Sequence, residues 1–473
     1  MDLPRLALGI TCLLSGVATL CAQTPDLSHA SLEELMNIKV YTASTYLQTA
    51  ETAPSLVTVV TADQIRKYGY RTLADILRSV GGFYVTSDRN YSYVGVRGFA
   101  RPGDYNTRIL LLVDGHRLND SVYGSSFVGF DALLDVDLIE RVEIIRGPTS
   151  SLYGTNAFLA VVNVIPKTSQ QIQGVELSTF LGSFGSYQGR ATYGQTAAGI
   201  EMLVSATYYT SSGQSLFFPE YSNPTTNNGV ARNADDERAR NFYGQIGFGK
   251  FFLRGAAVSR EKGIPTGAFG TVFNNPSTRT FDNFRSFDAQ YHAPIARGWE
   301  LSLRGSYDLY SYDGRYLWSD PTLPDPILNA DGCRGEWWGA EASIYHQFPA
   351  HNKVTAGLEV RDDFRQDQFS YDVQPYWSYL DDKRKSWMAA LYVQDEITLS
   401  PKIVLNLGFR HDRYSTFGGT TNPRAALIYQ PGRGATLKFL YGTAFRAPSA
   451  YELYYRSFII KNNPRLVPET IRT

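Results

Sequence analysis

The sequence predicts two unlike parts in one chain, a compact α+β domain followed by an antiparallel transmembrane β-barrel. Three observations predict this. The texture changes near Gly174, where short apolar strands and helical stretches give way to strands that alternate apolar and polar side chains over about ten residues, as a tilted membrane-crossing strand requires. The connections between those later strands are alternately tight and long, the rhythm of short inner turns and long outer loops. The composition, with 32 Tyr, 26 Phe and 41 Gly in 473 residues, suits many strands and turns better than helix bundles. Acidic and basic residues balance at 45 each, so no global field recruits nucleic acid.

The N-terminus, "MDLPRLALGITCLLSGVATLCAQ", has an apolar run from Leu6 to Leu20 and small residues near Ala22, and reads as a secretory signal peptide over residues 1–22. The run is short for a membrane span. A lipoprotein site at Cys21 is disfavoured by Leu20 before it. Cys12 and Cys21 leave with the signal, so Cys333 is the one cysteine of the mature chain, read as a loop thiol, and no internal disulfide forms.

In the α+β part, "SLEELMNI" is a short helical turn and "APSLVTVV" (Ala53 to Val60) a strand. The following stretch, to Phe83, predicts a helix capped by Thr61 or Asp63, with Leu73, Ile76 and Leu77 on one face and Gly81 and Gly82 as its stop. "RILLLVDG" (Arg108 to Gly115) is an apolar strand ending in a turn. "IERVEIIRGPTSSLYGTNAFLAVVNVIPK" (Ile139 to Lys167) holds two further strands around a Gly-Pro turn and a Tyr-Gly loop.

In the barrel part, Trp299, Leu301, Leu303, Gly305, Tyr307 and Leu309 face one way, and Glu300, Ser302, Arg304, Ser306 and Asp308 the other. Ile403, Leu405, Leu407 and Phe409 oppose Asn406, Arg410 and Asp412 in the same manner, as Val354, Ala356, Leu358 and Val360 oppose Thr355, Glu359 and Arg361. Such strands also suit a soluble sandwich or propeller, but the tight links near Lys250, Ile295, His351, Ser400 and Gly432, against long ones such as "GQSLFFPEYSNPTTNNGVARNADDERAR" and "GRYLWSDPTLPDPILNADGCRG", favour a membrane barrel. Trp299, Tyr310, Trp337, Trp338, Trp377 and Trp387 stand where interfacial aromatic girdles belong. About thirteen strands are present, whereas bacterial barrels close with an even number. The chain ends on "NNPRLVPETIRT", read as a loop, and the expectation is that the C-terminal part of the barrel is absent from it.

Five ordered motifs carry a resemblance: "APSLVTVVTADQI", "VGVRGF", "ILLLVDGHRLND", "IERVEIIRGPTSSLYGTNA", and "GTAFRAPSAYELYY" followed by "NPRLVPET". Together they resemble the TonB-dependent outer-membrane receptors, in which an N-terminal plug fills the lumen of a barrel of about 22 strands. One departure is "FLAVVNV" (Phe158 to Val164), where the family commonly has a Gly pair. The resemblance implies a plug over 49–168 and an incomplete barrel over 169–473, in the outer membrane of a Gram-negative bacterium. It implies no enzymatic activity and no cofactor.

The resemblance also implies import of a scarce nutrient chelate, a ferric siderophore first and cobalamin second, driven by the inner-membrane protein TonB. A passive porin or adhesin barrel, or an inactive remnant, are the alternatives of another class. TonB would pair with a segment within 23–48 as an added strand. The candidate there is Ile38, Lys39, Val40, Tyr41, Thr42 and Ala43. Plug loops facing the outer vestibule offer Asp88, Arg89, Tyr91, Tyr93, Arg101, Tyr105, Asn106, Asn119, Tyr123 and Ser125 as ligand contacts, since Arg and Tyr combine charge-assisted hydrogen bonds with stacking. Arg97 and Arg146, at the Arg-Gly turns, are expected to meet the barrel carboxylates Glu452 and Glu469, forming a plug-to-barrel lock. Haem receptors of this family carry a His between the FRAP and NPRL elements, and Arg446 to Asn463 contains none. His116 is read as a turn residue, and no Cys/His spacing suits a permanent metal site. The "NADDERA" stretch near Asp235 is read as an acidic solvated turn in preference to a calcium loop.

Overall fold

The computed structural model describes residues 53–100, 103–349, 352–432, 435–457 and 460–473, and the backbone pairing of Lys39–Val40 with Gln48–Thr49. The signal segment and the helical turn at 31–38 lie outside the described residues.

The plug begins with β1 (Leu56–Thr61). Thr61 opens α1 (Ala62–Tyr68) through a capping box: its hydroxyl accepts from Gln64 N at 3.4 Å and the Gln64 side chain accepts from Thr61 N at 3.0 Å. Two helices stand where one was predicted. Gly69 adopts φ 67° and ends α1, and Thr72 with Asp75 starts a second capping box on α2 (Leu73–Arg78). A hairpin of β2 (Phe83–Ser87) and β3 (Ser92–Val96) follows. Next come β4 (Ile109–Val113), β5 (His116–Arg117), β6 (Ile139–Arg146), a short helix α3 (Ser150–Tyr153) and β7 (Ala160–Pro166). The sheet order is β1-β6-β7-β4-β5, with β4 and β7 parallel and the other neighbours antiparallel. Ile65, Ile76, Leu77, Val142, Ile144 and Val162 form its apolar centre, each at most 2% exposed.

Fourteen strands then pair in sequence order. They are β8 (Gly174–Gly182), β9 (Ser186–Ala197), β10 (Ile200–Ser211), β11 (Glu237–Phe248), β12 (Phe251–Gly263), β13 (Arg279–Ala296), β14 (Trp299–Trp318), β15 (Ile327–Gln347), β16 (Asn352–Asp372), β17 (Trp377–Ser400), β18 (Ile403–Tyr414), β19 (Gly418–Gly432), β20 (Ala435–Arg446) and β21 (Glu469–Arg472). The last was read as loop. Its four residues ladder onto Thr443–Arg446, a pairing too short for periodicity to reveal. Among the described residues β8 and β21 each have a single neighbour, so the sheet is open.

The predicted short/long rhythm is present, but several outer loops are largely strand. β13 to β17 run for 18 to 24 residues, about twice what crossing the bilayer needs. That length lets the ladder continue beyond a bilayer crossing.

The two faces of the wall are sorted as predicted. Leu358 is 62% and Phe409 42% exposed, whereas Asn406, Arg410 and Asp412 are fully buried. This inversion is what a lipid-facing exterior and a filled lumen produce. Two girdle assignments fail, because Tyr310 and Trp337 have the inward parity. Both are buried, Trp337 under the Arg361 guanidinium at 4.7 Å. Trp338, Trp377 and Trp387 are exposed, and Trp299 stacks on His346 at 4.2 Å. Cys333, read as a loop thiol, lies fully buried on β15.

Candidate functional site

The inner face of the wall grips the plug at discrete polar points around its circumference. Gln188 on β9 donates to Asp135, and Asn241 on β11 to the Ala132 carbonyl. Arg254 on β12 pairs with Asp114 at 2.6 Å. Asp308 on β14 meets His116 at 2.9 Å, so that histidine is a plug-to-wall contact rather than a free turn residue. Arg410 on β18 pairs with Asp412 and Glu359 and donates to the Leu152 carbonyl of α3 at 3.0 Å. Arg424 on β19 donates to Ser55 and to the Pro54 carbonyl, and Lys438 on β20 to the carbonyls of Ala53 and Ser55. These last contacts hold the residues where the plug begins.

A plug-to-wall ion pair is present at Glu469, but with cations other than the expected Arg97 and Arg146. Glu469 accepts from the plug through Arg108, at 2.7 and 3.0 Å, and from the wall through Arg446. Glu452 stays within the wall, paired with Arg446 at 2.8 Å and capping α4 (Ala450–Tyr454) with Ser449. Arg146 points back into the plug, donating to the Gly81 carbonyl at 2.8 Å and to Thr58 at 3.0 Å. Arg97, at φ 53°, is exposed. Both Arg-Gly turns therefore close plug loops. The acidic turn near Asp235 is also not solvated: Asp235 is 4% exposed and pairs with Lys262 at 2.8 Å and with Arg89.

Above the plug, between its outer loops and the extended strands of the wall, lies a cavity of about 460 Å³. From the plug it is lined by Asp88, Tyr91, Tyr93, Tyr105, Asn106, Tyr123, Ser125 and Asp131. From the wall come Tyr310, Tyr312, Tyr316, Trp318, Asp331, Tyr379, Tyr451 and Tyr455, so among the described residues ten tyrosines surround it. Tyr123 joins the two sides, with its ring centre 5.7 Å from Tyr105 and 5.0 Å from Tyr451. Burial pushes the Asp131 carboxyl up to about 6 against the opposing pull of Arg260, leaving it largely ionised at neutral pH.

Seven of the ten loop residues singled out from sequence line this cavity. Arg89 turns away to Asp235, and Arg101 lies outside the described residues. Asn119 is 1% exposed inside the plug, accepting from Leu111 N and donating to the Ile109 and Gly124 carbonyls, so it is a framework residue. Asn106 lines the cavity while bonding Val94 N and the carbonyls of Ser92 and Ser126. Of the TonB-segment candidate only the Lys39–Val40 backbone is described, paired with Gln48–Thr49. Sequence reasoning missed the wall tyrosines. Their signal was present in "YSYDGRYLW", where Tyr310, Tyr312, Tyr316 and Trp318 share one parity with Asp308.

Two family models match the chain, the TonB-dependent receptor plug domain over residues 49–161 and the TonB dependent receptor-like β-barrel over 207–473. The vitamin B12 transporter BtuB of Vibrio vulnificus (strain CMCP6) is 25% identical over 99% of this chain and 70% of its own length. The iron-regulated outer membrane virulence protein of Vibrio cholerae is 24% identical over 91% of this chain and 64% of its own. Among solved structures, the siderophore receptor PirA from Acinetobacter baumannii has a TM-score of 0.65 at 18% identity, over 88% of this chain and 67% of its own. The ferric enterobactin receptor PfeA from Pseudomonas aeruginosa, in a mutant form bound to enterobactin, gives 0.62 at 19%, over 85% and 64%. The chain thus spans 64% to 70% of the length of these proteins.

Proposed function

The chain belongs to the TonB-dependent receptors of the Gram-negative outer membrane, and from that premise we propose that it imports a metal chelate, a ferric siderophore in the first instance, by TonB-driven displacement of its plug. The family is one of receptors and transporters, not enzymes. The observation that carries the proposal is the tyrosine-lined cavity shared by plug and wall. A ligand seated there touches both bodies at once, so its arrival changes the contacts that hold the plug. Rigid aromatic walls give large contact area at small entropic cost.

Force would enter through the N-terminal segment at 23–48, of which residues 38–43 are the candidate for pairing with TonB. A pull there arrives first at Ala53 to Ser55, which Arg424 and Lys438 hold. The polar contacts there can be broken in turn, ahead of the apolar and aromatic contacts that Phe127 and Phe130 make with the wall.

A second reading, import of a corrinoid, is favoured by the match to a vitamin B12 transporter over 99% of this chain. The polar contacts that seat the plug along β9 to β21 weigh against a passive porin. Growth and chelate uptake under iron limitation and under cobalamin limitation, in a strain lacking this protein and in its complemented parent, test the proposal. Loss of iron uptake supports the siderophore reading and loss of cobalamin uptake the second. Unchanged uptake of both contradicts the proposal.

A further inference from the structure

The charge and hydrogen-bond polarity of the cavity restrict what it accepts. Among the described residues its charged lining is entirely acidic, Asp88, Asp131 and Asp331, with no lysine, arginine or histidine. The guanidinium of Arg260 lies over the Tyr91 ring at 5.3 Å, but it is 4% exposed and already pairs with Glu237 and Asp282. Arg89 pairs with Asp235, and Arg334 with Asp313.

Four of the lining phenols commit their protons to carboxylates. Tyr93 donates to Asp88 at 2.7 Å, Tyr455 to Asp331 at 2.6 Å, Tyr310 to Asp282 at 2.9 Å and Tyr91 to the same Asp282 at 3.1 Å. A phenol whose proton is committed to a carboxylate presents to a visitor its oxygen lone pairs and its ring face, both electron-rich. Where these four phenols and the three carboxylates line it, the cavity presents acceptors.

We propose that this cavity selects ligands of zero or positive net charge that bring amide, amine or hydroxyl donors, and discriminates against polyanionic chelates. The proposal rests on the reading of the cavity as the chelate site. A trianionic complex would set like charge against three carboxylates and acceptors against acceptors, two repulsive elements that act as negative selection. An ammonium group meets the opposite: carboxylates for its charge and tyrosine faces for cation–π contact.

The test titrates the purified full chain with three ferric probes, following quenching of its intrinsic emission, to which Trp318 at the cavity contributes. The probes are an uncharged trihydroxamate, a trihydroxamate bearing a free ammonium group, and a trianionic tris-catecholate. The uncharged and cationic probes are expected to bind at least about tenfold more tightly than the tris-catecholate. Added salt is expected to weaken the cationic probe. A doubly substituted Asp131→Asn, Asp331→Asn chain, verified as folded by heat-modifiable migration, is expected to narrow the gap between the cationic probe and the tris-catecholate. A tris-catecholate that binds as tightly as the uncharged probe, or a gap unchanged in the double variant, overturns the proposal. If none of the three binds a folded chain, the chelate reading itself fails, and this inference with it.

Discussion

The plug and the wall bury opposite things. In the plug, the apolar centre is hidden, with Ile144 and Val162 fully buried; in the wall, Arg410 and Asp412 are hidden while Leu358 and Phe439 are 62% and 64% exposed. The plug is sorted as water sorts a soluble domain, the wall as lipid outside and a filled lumen inside sort a barrel. Where they meet, separate charged hydrogen bonds such as Arg254 to Asp114 and Arg108 to Glu469 stand beside aromatic contacts, Phe127 against Phe284 and Tyr310 and Phe130 stacked on Tyr209. An apolar core loses its stabilisation as a whole when opened. The polar contacts of the seam are separate from one another and can part in turn, as the proposed displacement of the plug requires.

Substitutions that treat the two regions alike are expected to give unlike results. The largest effect belongs to Arg410→Ala, which leaves Asp412 and Glu359 without their shared cation and the Leu152 carbonyl without its donor. Breaking a buried pair in this way costs about 3–5 kcal/mol, read as a lower temperature of heat-modifiable unfolding. Next, Ile144→Ala in the plug is expected to cost about 2–5 kcal/mol, whereas Leu358→Ala on the lipid-facing side leaves no cavity, does not touch the plug and loses only methyl transfer into lipid, about 1–2 kcal/mol. Protease resistance of the plug, measured in both, distinguishes them, and equal effects would break the comparison. Smallest is Glu469→Ala, where the partly exposed Glu469 end of the Arg108 pair leaves about 1 kcal/mol or less after solvent screening. It is expected to raise passive entry of a large antibiotic slightly. Arg146→Ala, whose partners Gly81 and Thr58 are both in the plug, is expected to weaken the plug sheet without that leak.

What could be read in advance follows from the range of each interaction. The two faces of β14, β16 and β18 were legible because side-chain direction alternates with every residue, and lipid and lumen demand different chemistry. Tyr310, Tyr312 and Tyr316 obey the same rule, yet Tyr310 reads as a girdle residue and Tyr316 as a loop residue, because periodicity does not say how far a strand continues past the membrane. The lock could not be paired. Arg108 and Glu469 are 361 residues apart, and nothing near "RILLLV" marks its arginine above Arg97 or Arg146. Asn119 and Tyr123 sit in one polar loop, and only the folded backbone decides that Asn119 turns inward to bond Leu111 N.

The most direct test of the ligand cavity uses Tyr123, whose ring bridges the plug to Tyr451 on the wall side. Binding isotherms of the full chain and of Tyr123→Ala, each with an uncharged ferric trihydroxamate and with cobalamin, compare the two. Saturable binding of one ligand, weakened at least about tenfold in the variant, is the predicted result. Binding that survives Tyr123→Ala undiminished, or no binding of either ligand to the folded chain, would contradict the account.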